Sequence, residues 1–434
     1  MMLKTMRITG WGRVLAAEGQ IARPDRAEPG GWPRGPAIGG LRAYGDAALN
    51  GAGPSVLMTR LDRCLDFDPE TGRLRAEAGV TLSELLRIFA PRGFLPPVMP
   101  GTAHATLGGA IAADVHGKNH LGAGSFGLHV TALELADPDG RPTRIDAKSA
   151  PDLFRATLGG MGLTGPIITA ELTLSRVSGG EMDVSERRIP DLDAFLAAFG
   201  ETDAPYSVGW IDATASGGQL GRGILETARS VEGSPFAARG APRKVPFDAP
   251  GFLLSAPVVR GFNAVYLSRV PKAGRTRRRP LEAFFFPLDS LAEWNRLYGA
   301  GGFHQFQCVV PTAAASKTLG TVLSRVAEAG LLSPLVVLKR LGSGRAGPLS
   351  FPMEGYTLAI DIPNRRGAAD LVRRLCRDAV EGGGRIYFAK DALCPPDLIP
   401  EMYPELPAFR ETVHRVDPQG VFETDLSRRL GLRG

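Results

Sequence analysis

Residues with chemical capacity concentrate in one stretch, PGTAHATLGGAIAADVHGKNHLGAGSFGLHV (100–130). It contains seven glycines, four of the six histidines and one lysine. Disorder requires low hydrophobicity, and the apolar segment around Leu107 and Ile111 argues against it. Glycines at this density favour a backbone that lies against a large flat ligand, because no Cβ blocks the approach. His116 and Lys118, each beside Gly117, could then hydrogen-bond to the polar edge of a ring.

Other chemistries are less well supported. The segment HGKNH lacks the glutamate of an HExxH zinc site, and the four cysteines show neither CxxC pairing nor zinc spacing with histidine. We therefore expect no metal site and no disulfide framework. The net charge of +6 is diffuse and does not indicate nucleic acid.

Glycine-containing loops occur at GGLRAYGD (39–46), PGTAHATLGGAI (100–111) and GGMGLTGP (159–166). The second of these is the beginning of the stretch described above. Consecutive N–H groups in such loops can cradle a pyrophosphate. The loop at 39–46 lacks the GxGxxG spacing of a dinucleotide-binding Rossmann unit. Each loop alone could equally be a surface or packing turn, so the evidence lies in their combination.

The elements that must position these loops are short. Thr81 and Glu84 form a capping box before an apolar helix face, and Thr106 is placed to cap a helix over 107–115. Alternation and apolar runs predict strands at 56–59, 74–78, 130–136 and 167–177, and periodicity predicts helices at 152–158, 313–330 and 366–383. The composition changes after Ser178, which together with the length predicts two domains.

The chain has no apolar h-region near its start and no apolar run approaching about 18 residues. We expect a cytoplasmic protein, at most peripheral to the inner membrane. The basic segment RVPKAGRTRRR (269–279) reads as a solvated loop or as a contact for anionic lipid headgroups. Residues 242–262 supply apolar surface that a lipid tail could use.

Several motifs, in order along nearly the whole chain, resemble the decaprenylphosphoryl-β-D-ribose 2-oxidase family of the vanillyl-alcohol-oxidase class of flavoproteins. The resemblance rests on the following segments: AYGD (43–46), PGT…TLGGAIAADVHGKNH…GSFG (100–127), LFRATLGGMGLTGPI (153–167), PLDSLAEWNRLYG (287–299), QFQ (305–307), PLSFP (348–352), YFAKD (387–391), MYP (402–404) and VDP…VF…D…RRL (416–430).

The resemblance implies an α+β fold of two domains. A PCMH-type FAD-binding domain would comprise residues 1–177 and be completed by 385–434, and a substrate-binding domain built on an antiparallel sheet would comprise 178–384. The FAD would be noncovalent, because 39–46 contains no histidine or cysteine to tether it. The implied cofactor-binding residues are Gly39, Gly40, Arg42, Ala43, Tyr44, Gly45, Asp46, Pro100, Gly101, Thr102, Thr106, Gly108, Gly109, Ala112, His116, Gly117, Asn119, Gly165 and Ile167.

The implied reaction is oxidation of the 2-hydroxyl of a polyprenylphosphoryl pentose, plausibly β-D-ribose, to the 2-keto sugar. A separate NAD(P)H-dependent reductase would complete epimerisation to arabinose, and a quinone is the expected electron acceptor. The implied catalytic residues are Lys390, Tyr387 and His116. A lysine at the flavin could stabilise a developing oxyanion. The implied substrate residues are Lys118, Trp210, Gln305, Gln307 and Lys339, of which Lys118 or Lys339 could meet the phosphate.

Two alternatives remain open: a soluble alditol or aldonolactone oxidase on the same fold, and a non-catalytic flavin or lipid binder. Departures from the family pattern motivate the alternative of a non-catalytic binder. The segment 23–37 is short and rich in proline and glycine, so a helix found in relatives is expected to be missing. Leu41 stands where the phosphate loop commonly has glycine, which places a Cβ near the pyrophosphate. Ala359 and Thr357 replace a cysteine and an asparagine found in the pocket of relatives.

Overall fold

The computed structural model describes residues 3–26, 33–237 and 240–434. Residues 27–32 of the proline- and glycine-rich segment therefore lie outside the described residues. Where that segment is described, at 23–26 and 33–37, it contains no helix. No helix of the described ranges is both long and apolar enough to cross a membrane.

The first part of the chain contains two sheets with orders β1-β2-β4-β3 and β5-β6-β10-β8-β9, and a two-stranded pair β11-β7. Its strands are β1 (Lys4–Thr9), β2 (Ala16–Ala22), β3 (Ala37–Ile38), β4 (Ser55–Leu57), β5 (Cys64–Asp68), β6 (Arg73–Glu77), β7 (Phe94–Leu95), β8 (Val130–Ala136), β9 (Pro142–Asp146), β10 (Ile167–Thr173) and β11 (Ser175–Arg176). Its helices are α1 (Leu82–Phe89), α2 (Leu107–Ala112), α3 (His120–Ala123) and α4 (Pro151–Thr157).

The second part is built on one eight-stranded sheet, ordered β16-β12-β14-β13-β19-β20-β18-β21, in which every strand pair is antiparallel. Its strands, with the short pair β15–β17, are β12 (Glu181–Ile189), β13 (Tyr206–Ile211), β14 (Gly223–Val231), β15 (Arg243–Lys244), β16 (Arg275–Pro280), β17 (Leu291–Ala292), β18 (Phe303–Val310), β19 (Val336–Leu341), β20 (Gly355–Pro363) and β21 (Arg385–Ile386). The helices from here to the C-terminus are α5 (Leu192–Glu201), α6 (Ala256–Ser268), α7 (Leu281–Phe285), α8 (Ala315–Ala329), α9 (Ala368–Glu381), α10 (Ile399–Met402), α11 (Leu406–Val416) and α12 (Asp425–Leu430).

The two faces of the large sheet differ in chemistry. Phe306, Cys308, Leu338 and Leu358 lie in the main hydrophobic core together with residues of α5, α8 and α9. Side chains point to opposite faces along a strand, so the residues between them point away from this core. The opposite face therefore carries the polar residues of β18, β19 and β20 toward the first part of the chain.

The sequence-based elements are largely confirmed. Thr81 and Glu84 form the expected capping box, and Thr106 caps α2, although α2 ends at Ala112 rather than at 115. The helices predicted at 313–330 and 366–383 are α8 and α9. The predicted strand at 167–177 is interrupted after Thr173.

The expectation of a solvated loop at 269–279 is wrong for its second half. Residues 275–280 form edge strand β16, which pairs with β12. The buried carboxylate of Glu186 binds Arg269, Arg275 and Arg277. This acid lies about ninety residues earlier in the chain, so no local pattern shows that it neutralises the basic segment.

The buried side chain of Asp114 connects the two parts of the chain. Its carboxylate accepts hydrogen bonds from Ser125 Oγ (2.8 Å), Gly127 N (2.8 Å), Ala346 N (3.1 Å) and Ser350 Oγ. Asp114 has a φ of +39°. These four bonds fix the strained turn between α2 and His116 against the loop that precedes β20.

We expect Asp114→Ala to lower the free energy of unfolding by about 3 kcal/mol, because it leaves several buried donors without an acceptor. Urea denaturation followed by circular dichroism measures this loss. Asp139→Ala, at an exposed turn, is the matched control and should change stability by less than about 0.5 kcal/mol. Equal effects of the two substitutions would contradict the structural role of Asp114.

Candidate active site

The loop over residues 39–46 presents free backbone donors. The N–H groups of Gly40, Leu41 and Arg42 have no acceptor within the described part of the chain. The guanidinium of Arg42 lies 4.3 Å from the ring centroid of Trp11, and its buried Nε is likewise without a described partner. A row of free N–H groups beside a cation suits the oxygens of a pyrophosphate.

Leu41 adopts a left-handed backbone with φ +54°, the conformation that favours glycine. Its side chain packs against the small cluster that contains Ile8, Ile21 and Leu49. The side chain is therefore turned into the protein, and the leucine adopts a turn conformation that glycine usually supplies.

Asp46, at the end of this loop, forms an ion pair with Arg429 of α12 at 2.7 and 2.9 Å. Arg429 also binds Asp391, next to Lys390, at 2.8 Å. Gly45 lies directly against the backbone of this segment, because a Cβ there would be 1.8 Å from Asp391 O. The Asp46 carboxylate therefore fixes the loop to the C-terminal part of the chain.

The second loop, which includes Pro100, Gly101 and Thr102, lies against the first. A Cβ on Gly39 would be 2.4 Å from Thr106 Oγ1, and a Cβ on Gly40 would be 2.5 Å from His104 O. Thr106 Oγ1 accepts from Gly109 N at 3.2 Å. By contrast, a Cβ on the exposed Gly101 would have no atom within 4 Å. The two glycine loops thus meet and leave open space beside Gly101.

The other sequence-predicted cofactor residues lie around these loops. Gly108 packs against Ala78, Gly117 against Met99 O, and Gly165, with φ +126°, against Ala136 O. Asn119 Nδ2 donates to Pro97 O at 2.9 Å. Ala43, in the first loop, and Ala112, on α2, are partly exposed. Ile167 is the first residue of β10.

His116 lies where the two parts of the chain meet. The terminal amide of Gln307 is 3.0 Å from His116 Nε2 and 3.1 Å from Thr357 Oγ1, while Lys339 Nζ is 3.4 Å from His116 Nδ1. Burial and the neighbouring cations hold the pKa of His116 well below its usual range, so the ring is neutral. The Gln307 atom at His116 Nε2 is the amide nitrogen, which donates, so Nε2 accepts this hydrogen bond.

Lys390 lies nearby with its ammonium 3.6 Å from the ring centroid of Tyr44. Burial lowers the pKa of Lys390 to about 7, although the buried carboxylate of Asp361 opposes that shift. Burial also raises the pKa of Asp361 to about 6. Asp361 accepts from Tyr298 Oη at 2.8 Å and from the Gln305 amide.

Tyr387 closes the pocket behind His116. Its ring stacks on Phe351 at 4.6 Å and lies 5.7 Å from the His116 ring, and its hydroxyl donates to Ala113 O at 3.1 Å. Burial raises the pKa of the Tyr387 phenol, so it remains a neutral hydrogen-bond donor. This contact places the segment directly after β21 against the turn after α2.

Two predicted substrate residues lie farther along the same face. Lys118 donates to Phe284 O and lies 4.0 Å from that ring centroid, and Arg279 lies 5.9 Å from the same centroid. Burial lowers the pKa of Lys118 to about 7. Trp210 Nε1 donates to Pro334 O at 2.8 Å, and its ring lies 4.6 Å from that of Tyr266.

Sequence reasoning missed Asp361, Phe351 and Asp114. Asp361 had a local signal, since it is an acid in the otherwise apolar strand GYTLAIDIP and stands two residues after Ala359. Phe351 belongs to the quoted PLSFP segment but carries no polar group. Asp114 follows an apolar run directly before HGKNH.

The residues present fit an FAD. The free N–H groups at 40–42 and Arg42 suit its pyrophosphate, the open space beside Gly101 leaves room for it, and Lys390 lies against Tyr44 of the first loop. Residues 34–146 match the FAD binding domain family. The chain thus carries an FAD-binding domain.

Comparison with known proteins defines the class further. The chain is 35% identical over 99% of its length to the decaprenylphosphoryl-β-D-ribose oxidase of Mycolicibacterium smegmatis, of which it covers 98%. It therefore belongs to the decaprenylphosphoryl-β-D-ribose oxidase family. An uncharacterized protein of Streptomyces coelicolor is 35% identical over 81% of this chain and its own full length. L-gulonolactone oxidase 5 of Arabidopsis thaliana is 22% identical over 86% of this chain and 72% of that protein.

We expect Gly101→Leu to reduce the FAD bound to the purified protein by about tenfold or more, since the side chain would occupy the open space beside the loop. The ratio of flavin to protein absorbance measures the loss. The thermal midpoint of the cofactor-free protein should not change, because no protein atom lies near the new side chain. Gly218→Leu, also in open space but far along the chain, is the control. Full FAD content in Gly101→Leu would contradict this placement.

Proposed function

We propose that this protein oxidises the 2-hydroxyl of a polyprenylphosphoryl pentose, of the β-D-ribose type, to the 2-keto sugar. The observation that carries the proposal is the convergence of Lys390, Lys339, His116 and Gln307 beside the two glycine loops. The family to which the chain belongs supports the choice of substrate. FAD, when bound, supplies the hydride acceptor.

Lys390 would stabilise the negative charge that develops on the substrate oxygen as its proton is lost to bulk solvent. Its ammonium is desolvated, and a cation acts more strongly in such a water-poor site than in solution. The aromatic face of Tyr44 and the carboxylate of Asp361 hold the charged form in place. Lys390 would therefore be the main electrostatic contributor to the reaction.

His116 would orient the sugar. Its neutral ring is held from both sides by Lys339 and Gln307, so its orientation is fixed before substrate arrives. Gln305 and Gln307 face the same space from β18 and are hydrogen-bonded to Asp361 and Thr357 respectively. These amides can exchange a protein partner for a sugar hydroxyl.

The phosphate of the substrate would lie near Lys118. Lys118 and Arg279 converge on the ring of Phe284, and Arg279 shares its carboxylate partner, Glu226, with Arg269. A phosphate would restore the charged form of Lys118, which burial now disfavours. We place the phosphate here rather than at Lys339, because Arg279 supplies a second cation beside the ring of Phe284.

The product would be a keto sugar, which a subsequent reduction must convert to the epimeric alcohol. We propose that an NAD(P)H-dependent keto-sugar reductase acts next and yields the arabinose epimer. A quinone-type acceptor would reoxidise the cofactor, and the protein would act in the cytoplasm at the inner membrane. Mixing the protein with the candidate reductase and detecting arabinose formation tests the coupling.

We expect anaerobic addition of polyprenylphosphoryl ribose to abolish the oxidised-flavin absorbance, and Lys390→Ala to slow this by about a hundredfold or more. Lys148→Ala, an exposed lysine, is the control and should react at the wild-type rate. An unchanged rate in Lys390→Ala would remove that residue from its role. Bleaching by free aldonolactones alone would instead favour an aldonolactone oxidase, to which the similarity to L-gulonolactone oxidase 5 also points. A protein without flavin would indicate a non-catalytic binder.

The pH dependence gives a separate prediction. If the protonated amine of Lys390 is required, the rate of flavin reduction should fall as pH rises through about 7. Arginine keeps its charge over that range, so Lys390→Arg should remove this fall even if its absolute rate is lower. Stopped-flow measurement of flavin absorbance across pH distinguishes the cases. A rate that rises through the same pH would show that the neutral amine acts as a base.

A further inference from the structure

The outer side of α6 and of the turn before it is apolar. Phe252 and Val265 expose 66% and 71% of their surface, and Val258 and Phe262 are also exposed. Arg260 is the only charged residue of α6. We call these four apolar side chains the α6 surface. Contiguous exposed apolar side chains on an ordered helix indicate a surface that becomes covered.

The inner side of α6 packs against the rest of the protein. Val259 is buried in the cluster that contains Tyr44 and Phe303. Asn263 is fully buried and donates from Nδ2 to Asp212 Oδ1 at 2.7 Å. The exposure of the outer side is therefore a property of the fold and does not arise from a detached helix.

The charged residues around the α6 surface are mainly positive, although Lys244 is paired with Glu293 and Arg269 with Glu186 and Glu226. Residues 240–272 contain five lysines and arginines and one acid, Asp248, which is paired with Arg13 and Arg296. Arg260 and Lys272 are exposed and have no acidic partner among the residues described. An apolar helix face with free cations fits the interface of a membrane that carries anionic lipids.

The α6 surface connects to the candidate active site. Phe262 stacks on Tyr266 with centroids 5.9 Å apart, and Tyr266 lies 4.6 Å from Trp210. Trp210 is opposite Val337 in the sheet, and Lys339 follows two residues later on the same face. A continuous aromatic row thus leads from the exposed helix to the polar face that carries the site.

We propose that the α6 surface docks this protein on the headgroup and acyl boundary of an anionic bilayer. This rests on the proposed function, because a polyprenyl-linked substrate is held in a membrane and the pocket must reach its headgroup. Docking through α6 places the aromatic row, and with it the entrance to the polar face, at the lipid surface. The cations contribute attraction to the headgroups, and the apolar side chains insert below them.

The test is flotation of the FAD-loaded protein with vesicles of phosphatidylcholine mixed with phosphatidylglycerol. The variant Phe252→Glu/Val265→Glu removes apolar side chains that touch no residue of the proposed site. We expect it to bind at least about tenfold less than wild type. Leu65→Glu, an exposed leucine on β5, is the matched control and should bind as wild type does. Arg260→Glu/Lys272→Glu should lose binding to the anionic vesicles.

Four further outcomes would overturn the docking proposal, and one would support it. If wild type does not float, the α6 surface is not a membrane site, whatever the result of flavin reduction with detergent-dispersed substrate. If Phe252→Glu/Val265→Glu floats unchanged, binding occurs elsewhere. A wild-type dimer in sedimentation velocity that this variant dissociates would assign the surface to a second copy of the chain. Loss of flavin reduction in detergent by the same variant would show that the α6 surface is needed for the reaction in the pocket and not for membrane binding. Unchanged reduction in detergent with lost flotation supports the proposal.

Discussion

The site depends on strict alternation of side chains along the strands of the large sheet. In β18, Phe306 enters the core, while Gln305 and Gln307 on either side of it face the pocket. In β19, Leu338 enters the core and Lys339 reaches His116. A shift of one residue in register would bury the amides in the core and move the aromatic ring into the pocket. The packing of the core against α5, α8 and α9 therefore also fixes the positions of the polar groups.

The polar face concentrates positive charge in a poorly solvated space. Lys118, Lys339 and Lys390 all have pKa values lowered by burial, and Asp361 is the buried carboxylate that favours the charged form of Lys390. Such a site costs stability in the absence of ligand and is relieved by an anionic one. The proposed phosphorylated substrate and the anionic FAD would supply that charge. The fold thus buries lysines whose charged form is disfavoured, and an anionic ligand would stabilise that charged form.

Sequence reasoning located much of the site, because its motifs are local. HGKNH, the glycine loops and the AKD segment could be recognised, and the capping box at Thr81 follows from two residues alone. The partners across the sheet could not be found in that way. That Asp361 lies opposite Gln305, or that Glu186 binds β16, depends on strand register between distant segments. The orientation of Leu41 likewise depends on a cluster formed by other strands.

The ion pairs of Arg429 bear on the order of folding. Arg429 lies 383 residues after Asp46, and it joins the first glycine loop to the segment that carries Lys390. Contacts of such long sequence separation carry a large loop-closure cost and are expected to form after local structure. The position of the cofactor loop therefore depends in part on the C-terminal helix. The integrity of the cofactor site is thus tied to contacts between the two ends of the chain.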